Sequence, residues 1–364
     1  MNKLSKMNVG FASLDWSVVD GQHVPNGCTW YRSILPSQQL NLAGAASAFG
    51  FLSVKPNGEF AIKRLNKSFS NNNNIIVLKV IMSKEVLERI PKAQSRGQKI
   101  VVDIDDLYDE LHSTNLAYQS SSPNSNKDNN REIYAEIIKV SDALICSTPF
   151  IRDYFSKKYP SKPIFMVRNA IQNNSFKRLK AVNRAPVIGW LGATPWRSMD
   201  LEVMQPFLDS YLEKNKIKFH HAGHLIWAPA AYLRLGINPK NCTVSGMVPL
   251  FEMQDAHAKF DIGVVPLNDI PFNRAKSFIK GVEYAASGIP FVASALPEYE
   301  YLSSMGVGRI AKCDADWIGH FDELMKFKVR EEESKKINKI IEKEFTMSKT
   351  GPEWVSVFKE ISSL

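Results

Sequence analysis

Residues 266–290 read PLNDIPFNRAKSFIKGVEYAASGIP and place two complementary chemistries within one short span. Asn273, Arg274, Lys276 and Ser277 fall in a loop and the first turn of a helix. Cations and amide donors at a helix N-terminus suit a phosphate. Glu283 lies about two helical turns further on, and a carboxylate there suits a ribose hydroxyl. Apolar runs at 261–265 and 291–294 flank the segment, so strand, loop, small-residue-rich helix and strand form one βαβ unit. Together these residues read as a nucleotide-diphosphate site.

Three further motifs follow expected strands. In GWLGATPWRS, residues 189–198, Gly192 permits a tight turn, and Thr194 and Arg197 offer phosphate donors before a helix near Met199. The alternative is an ordinary turn with a surface arginine. HHAGH, residues 220–224, invites a metal reading. Adjacent His220 and His221 in a strand point to opposite faces, which argues against one. Gly223 suits close approach of a ligand to backbone, and His224 either faces that ligand or open solvent. In VSGMV, residues 244–248, backbone near Gly246 reads a base edge while Met247 and Val248 cover its face, or the segment is a plain loop.

Two motifs in the first half carry the acceptor-side candidates. VVDIDDLYDE, residues 101–110, brings Asp105 and Asp106 to a strand end. They would hold Mg²⁺ with a substrate diphosphate, cap a helix, or act as base or ligand for an acceptor hydroxyl. In residues 21–36, Gly27, Trp30, Tyr31 and Arg32 either stack on a sugar or base or cover the sheet end.

The elements that must position these residues alternate strand and helix, which predicts an α/β fold of two doubly wound Rossmann-like domains. Strands are expected at 9–14, 75–80, 100–104, 143–147 and 164–167, with helices at 38–49, 84–96, 131–140 and 149–158. Residues 113–130 read as a mobile loop. A second set has strands at 187–191, 217–221, 242–245, 262–266 and 291–294, with helices at 201–214, 230–235, 250–259 and 275–287. The predicted organisation is an acceptor-side domain over 1–171, a polar, basic linker over 172–186, a nucleotide-binding domain over 187–345 and a C-terminal segment over 346–364. In the final helix, 352–361, Trp354, Val357, Phe358 and Ile361 share a face that needs a partner, for which the first domain is a candidate. Ligands of such folds bind at the carboxyl ends of the strands.

At 364 residues with 44% hydrophobic and 23% charged side chains, the composition is that of ordinary globular domains. No apolar run suits a signal peptide or a membrane span, so a cytoplasmic location is expected. Cys28, Cys146, Cys242 and Cys313 are scattered, which argues against a disulfide framework or a zinc site. The net charge of +9 is dispersed apart from a modest cluster at 177–184. It reads as a lysine-rich surface, or as contact with nucleic acid or a membrane surface.

Taken together, these motifs resemble a GT-B-fold glycosyltransferase of the large retaining, glycogen-synthase-like group (glycosyl transferases group 1). The GCTWYR and DIDDL segments resemble a bacterial and phage branch of it. The resemblance implies two domains facing a central cleft, with the last helix crossing back to the first domain. It implies Arg197, Lys276 and Ser277 at the donor diphosphate, Glu283 at the ribose and residues 244–248 beside the base. It also implies transfer without a cofactor other than the nucleotide-sugar co-substrate, and with no Mg²⁺ requirement. Asp105, Asp106, Arg197 and Lys276 become the candidate catalytic set. That family commonly has two glutamates with seven residues between them; Glu283 matches the second, whereas Ala275 stands at the first and leaves Asp269 as a substitute. Asp105 replaces a histidine common at the first domain's strand end. The implied activity is hexosyl or pentosyl transfer from a nucleotide-diphosphate sugar to a hydroxyl of a polysaccharide, lipid-linked or other glycan. The alternatives are a phage-type transferase acting on hydroxylated DNA bases and a non-catalytic nucleotide-sugar-binding protein.

Overall fold

The computed structural model describes residues 3–19, 21–63, 69–70, 73–122, 126–173 and 183–364. Most of the expected linker, residues 174–182, and with it most of the basic cluster at 177–184, lies outside the described residues. The chain forms two compact units. The first takes in residues up to Asp109, Ser120–Gln172 and Met347–Leu364, and the second takes in Glu110–Gln119 and Asn173–Thr346.

The first unit is built on strands β1 (Asn8–Ser13), β4 (Ala46–Val54), β5 (Phe60–Lys63), β6 (Phe69–Ser70), β7 (Ile75–Lys79), β8 (Lys99–Ile104), β9 (Ala143–Cys146) and β10 (Ile164–Met166). A separate hairpin, β2 (Trp16–Val19) and β3 (Gln22–Pro25), follows β1. The sheet order is β10-β9-β8-β7-β1-β4-β5-β6, parallel as far as β4 and antiparallel at β5 and β6. Every residue of β7 and β9 is buried, as continuous apolar runs in a sheet covered on both faces require. Covering helices start at side-chain caps: Ser83 Oγ accepts from Val86 N–H at 3.4 Å, and Thr148 Oγ1 accepts from Ile151 N–H at 3.3 Å.

Two expectations fail here for local reasons. The helix expected over 38–49 is Leu35–Leu42, and the chain re-emerges as β4. Gly44, at φ +89°, ends the helix, and the Asn41 amide then pins Ser47 through its N–H at 2.8 Å and its carbonyl at 3.1 Å. Within 113–130, expected as a loop, Leu116–Ser121 is helical.

Arg32, expected at an acceptor site, is fully buried. Its Nε and Nη2 fork onto Asp103 at 3.0 and 2.7 Å, and Nη1 donates to the Val167 carbonyl at 2.6 Å and Asn169 Oδ1 at 3.2 Å. The guanidinium lies 4.6 Å from the Trp354 ring centroid. Arg32 therefore ties β8, the exit from β10 and the final helix Met347–Ile361 together, and its fork serves the fold. That helix buries Trp354, Val357, Phe358 and Ile361 within this unit, with Phe358 edge-on to Phe11 of β1 at 5.6 Å.

The second unit is an all-parallel sheet of β11 (Ile188–Leu191), β12 (Phe219–His224), β13 (Cys242–Gly246), β14 (Ile262–Val265), β15 (Phe291–Ser294) and β16 (Arg309–Ala311), in the order β13-β12-β11-β14-β15-β16. Ile188, Trp190, Phe219 and Ile262 pack against Leu208 and Leu212 of one helix and Trp317 and Phe321 of another. The helix expected over 275–287 is shorter, Ile279–Ala286, preceded by a single turn at Pro271–Arg274. Lys276 and Ser277 therefore lie in the turn between the two. Among the described residues, no helix is long and apolar enough to cross a membrane.

Removing one partner of a buried ion pair strands the other charge, at a cost of about 3–5 kcal/mol. Arg32→Ala is expected to lower unfolding free energy by about 3 kcal/mol, the low end of that range because Lys79 still faces Asp103 at 3.6 Å, measured by denaturant titration. Arg32→Lys should recover little, since an ammonium cannot reproduce the fork.

Candidate functional site

In the second unit, the carboxyl end of β11 is gripped by the helix Ile279–Ala286. The Leu191 N–H donates to Tyr284 Oη at 3.0 Å, and the Leu191 carbonyl accepts from Lys280 Nζ. The chain then turns at Gly192, where a Cβ would stand 2.7 Å from the Trp190 ring. Its neighbour β12 turns at Gly223, φ +93°, where a Cβ would lie 3.1 Å from the Gly192 carbonyl oxygen. Only glycine suits that conformation at that approach. Gly192 N–H donates to the Ala222 carbonyl at 2.9 Å, and His221 Nε2 donates to the Gly192 carbonyl at 2.9 Å. His221 Nδ1 in turn accepts from Ala231 N–H at 3.2 Å, so its bonds assign the neutral Nε2–H tautomer. Burial holds this imidazole down at about 4, so it stays neutral. His220 is bonded to Thr243 and Ser245 on the edge strand β13, so the two histidines serve different elements.

The loop 192–198 is braced from several sides. Arg234 donates to the Thr194 and Arg197 carbonyls at 2.8 and 3.1 Å while forking onto Glu202 at 2.7 and 2.9 Å. Asn115 Nδ2 reaches the Trp196 carbonyl at 3.1 Å. Thr194 Oγ1 donates to the Pro229 carbonyl at 2.7 Å and is buried. Thr194, expected to donate to a phosphate, instead ties two loops together. Asn273 departs from expectation in the same way. Both of its amide hydrogens are committed, to Asp200 Oδ1 at 2.6 Å and the Asn268 carbonyl at 2.8 Å, and the side chain is buried.

On this frame the cations gather. Arg197 Cζ and Lys280 Nζ lie 5.5 and 5.8 Å from the same Trp190 ring centroid. Lys276 Nζ lies 4.5 Å from the Phe272 ring centroid and is half-buried. Burial, then the nearby Arg197, push the Lys280 ammonium down to about 7; Glu283 works against this and Lys276 adds to it. Glu283 is buried on the same helix, and Ser277 is half-buried in the preceding turn. Arg197 Nε and His224 Nδ1 are buried side-chain atoms with no hydrogen-bond partner among the described residues. Such groups carry a desolvation cost, which an incoming acceptor relieves at Arg197 Nε and which a donor or an acceptor relieves at His224 Nδ1 according to its tautomer. Gly246 and Met247 are exposed and Val248 half-buried where the chain leaves β13. Asp269, the substitute for the carboxylate missing at Ala275, is forked by Arg274 at 2.6 and 2.8 Å on the surface.

The first unit has its own charged strand end. Lys79, the last residue of β7, is buried between Asp103, 3.6 Å away, and Asp105. The residue after it, Val80, is a β-branched residue at φ +51°. Burial alone would raise the Asp105 carboxyl, but the Lys79 charge and hydrogen bond outweigh it and hold the group below its ordinary value. The Asp-x-Asp pattern thus holds an ammonium, and among the described residues no cluster of metal-ligating side chains is found. Asp106, Gly27 and Trp30 are half-buried, and Tyr31 is buried.

The structure therefore brings Arg197, Lys276 and Glu283 into the influence of Lys280, which the sequence reading missed. Its signal was present: Lys276, Lys280 and Glu283 recur at spacings of four and three, one face of a helical turn.

No family model matches this chain, and no curated protein sequence matches it. Solved structures do resemble it in fold. Sucrose-phosphate synthase from Thermosynechococcus elongatus is 11% identical, with 98% of this chain and 99% of that one covered at a TM-score of 0.65. A glycosyltransferase from Rickettsia africae is 10% identical over 98% of both chains, with a TM-score of 0.63. HepE from Anabaena, solved in complex with UDP-glucose, is 11% identical over 97% of this chain and 100% of that one, with a TM-score of 0.61. At these identities the likeness shows the fold, the two-unit α/β architecture of GT-B proteins.

Lys280 titrates at about 7 in the folded chain against an ordinary 10.5, so the unfolded chain binds more protons between these values. Stability contributed at this position rises with pH across that window, and the penalty of the ionised ammonium is present in full below it. Lys280→Met loses the bond to the Leu191 carbonyl at every pH, so the expected signature is the trend: its melting temperature relative to the wild type is highest below pH about 7 and falls toward pH about 10. A gap that does not change with pH in paired calorimetric scans would contradict this.

Proposed function

We propose that this chain is a glycosyltransferase that binds a nucleotide-diphosphate sugar in its second unit and transfers the sugar to a hydroxyl acceptor. The observation that carries the reading is the grouping of Arg197, Lys276 and Lys280 against one buried carboxylate, Glu283, at the carboxyl ends of parallel strands. Three cations on braced loops suit a diphosphate, and Glu283 suits a ribose hydroxyl. The fold neighbours support the reading, since one of them was solved with UDP-glucose.

In transfer, the leaving nucleoside diphosphate gains negative charge as the sugar-to-oxygen bond breaks. Arg197 and Lys276 would stabilise that charge from fixed positions, which serves the transition state more than the ground state. Residues 246–248 would flank the base. The side chains doing this are cations, so transfer should proceed without a divalent metal. In the first unit, Asp105 is our candidate for the acceptor hydroxyl, because its pairing with Lys79 keeps it an anion that accepts a hydrogen bond.

Arg197→Ala and Lys276→Ala are each expected to weaken binding of the matching nucleotide sugar by about 10- to 100-fold, the worth of one charge-assisted hydrogen bond. A thermal-shift screen against nucleotide sugars finds the donor, and isothermal titration of the two variants measures the loss. Unchanged affinity in both variants would sink the assignment. Turnover should persist in EDTA, and a strict Mg²⁺ requirement would return attention to Asp105 and Asp106. Sugar transfer or donor hydrolysis by the wild type excludes a purely binding role.

A further inference from the structure

Lys280 makes two contacts at once. Its Nζ donates to the carbonyl of Leu191, closing the end of β11 onto the helix Ile279–Ala286. The same Nζ hangs 5.8 Å from the Trp190 ring centroid, near which the Arg197 guanidinium also lies at 5.5 Å. An ammonium so placed has a neutral carbonyl for a partner and like charges for neighbours, with Glu283 as the offsetting carboxylate. An electrostatic cluster of that kind lacks an anion. A dianion seated on Arg197 would convert the net field at Lys280 from repulsive to attractive, because opposite charges within a few ångströms favour the charged form.

We infer that Lys280 is a third ligand of the diphosphate, kept on the Leu191 carbonyl while the site is empty, and that binding of the diphosphate draws one proton from solvent onto it. This rests on the donor-site reading above and adds the residue and the proton. The atoms balance simply: the lone pair of a neutral Lys280 amine takes a proton from water or buffer, and the new ammonium faces the phosphate oxygens.

The groups around Lys280 leave it as the titrating member. Arg197 reaches it from the loop after β11, Lys276 from the turn before its own helix, and Glu283 from one turn along that helix. His221 of β12 and His257 of the helix Met253–His257 also sense its charge. Burial holds those two imidazoles down at about 4 and about 3, so neither changes charge in the neutral range. Burial raises the Tyr284 phenol beyond that range. A free Lys280 near 7 is therefore half-ionised where its neighbours are constant.

The test is isothermal titration of the full chain with UDP and with inorganic pyrophosphate at about pH 8, in buffers of low and high ionisation enthalpy. At that pH the terminal phosphate of UDP, whose second pKa is about 6, is already ionised, so a proton taken up with UDP goes to the protein; pyrophosphate, which keeps a proton there, reports binding alone. The wild type is expected to take up on the order of one proton per site and to bind up to about tenfold more weakly per pH unit above 7. Lys280→Met should lose both the uptake and the pH dependence and bind several-fold more weakly at pH about 6.5, where the wild-type ammonium is charged. Lys280→Arg, charged throughout, should bind without uptake and without pH dependence, which separates lost charge from lost packing. Tight binding by the wild type with no proton uptake, or uptake that survives Lys280→Met, overturns the inference and leaves the donor site standing. Failure of both UDP and pyrophosphate to bind under any of these conditions overturns the inference together with the diphosphate reading beneath it.

Discussion

Everything at the candidate site hangs on Leu191, whose N–H and carbonyl are both claimed by one helix, through Tyr284 and Lys280. A strand end in a parallel sheet has spare backbone groups, and these must find partners when buried. Here the partners come from a helix three strands later in sequence, so β11 and the helix Ile279–Ala286 cannot shift independently. That coupling sets where Trp190 lies, and Trp190 in turn sets where Arg197 and Lys280 can rest. Glycine at 192 and 223 lets the loops after β11 and β12 approach closely enough for the His221 bridge to form.

The first unit solves a different electrostatic problem at its own strand ends. Arg32, Asp103, Lys79 and Asp105 alternate in sign through the protein interior, so each buried charge has a neighbour of the opposite kind. A chain of this sort tolerates burial because no member is left uncompensated. The second unit groups like charges instead. The contrast separates a structural network from a site awaiting an anion: in one the charges sum to near neutrality, and in the other they do not.

Much of the architecture was legible because buried parallel strands read as unbroken apolar runs, as in residues 75–78 and Ala143–Cys146. The failures have physical causes. The segment after Gly44 lacks β-branched residues until Val54, so a helix pattern was carried through what became β4. Thr194 and Asn273 are the right residue types for ligand contacts, yet short polar side chains are equally suited to holding backbone, and nothing local distinguishes the two uses. Arg32 sat beside aromatic residues that suggested stacking, whereas its partner Asp103 lies 71 residues away and could not be read from spacing.

Ala275 sharpens the electrostatic argument. A carboxylate expected at that position is replaced by a fully buried methyl group, and Asp269 is already paired with Arg274. Neither removes positive charge from the neighbourhood of Arg197, Lys276 and Lys280. Burial first, and then repulsion from Arg197 and Lys276 against the offset of Glu283, brings the Lys280 ammonium down to about 7. A bound diphosphate would supply negative charge there, which is why we tie its binding to protonation of Lys280.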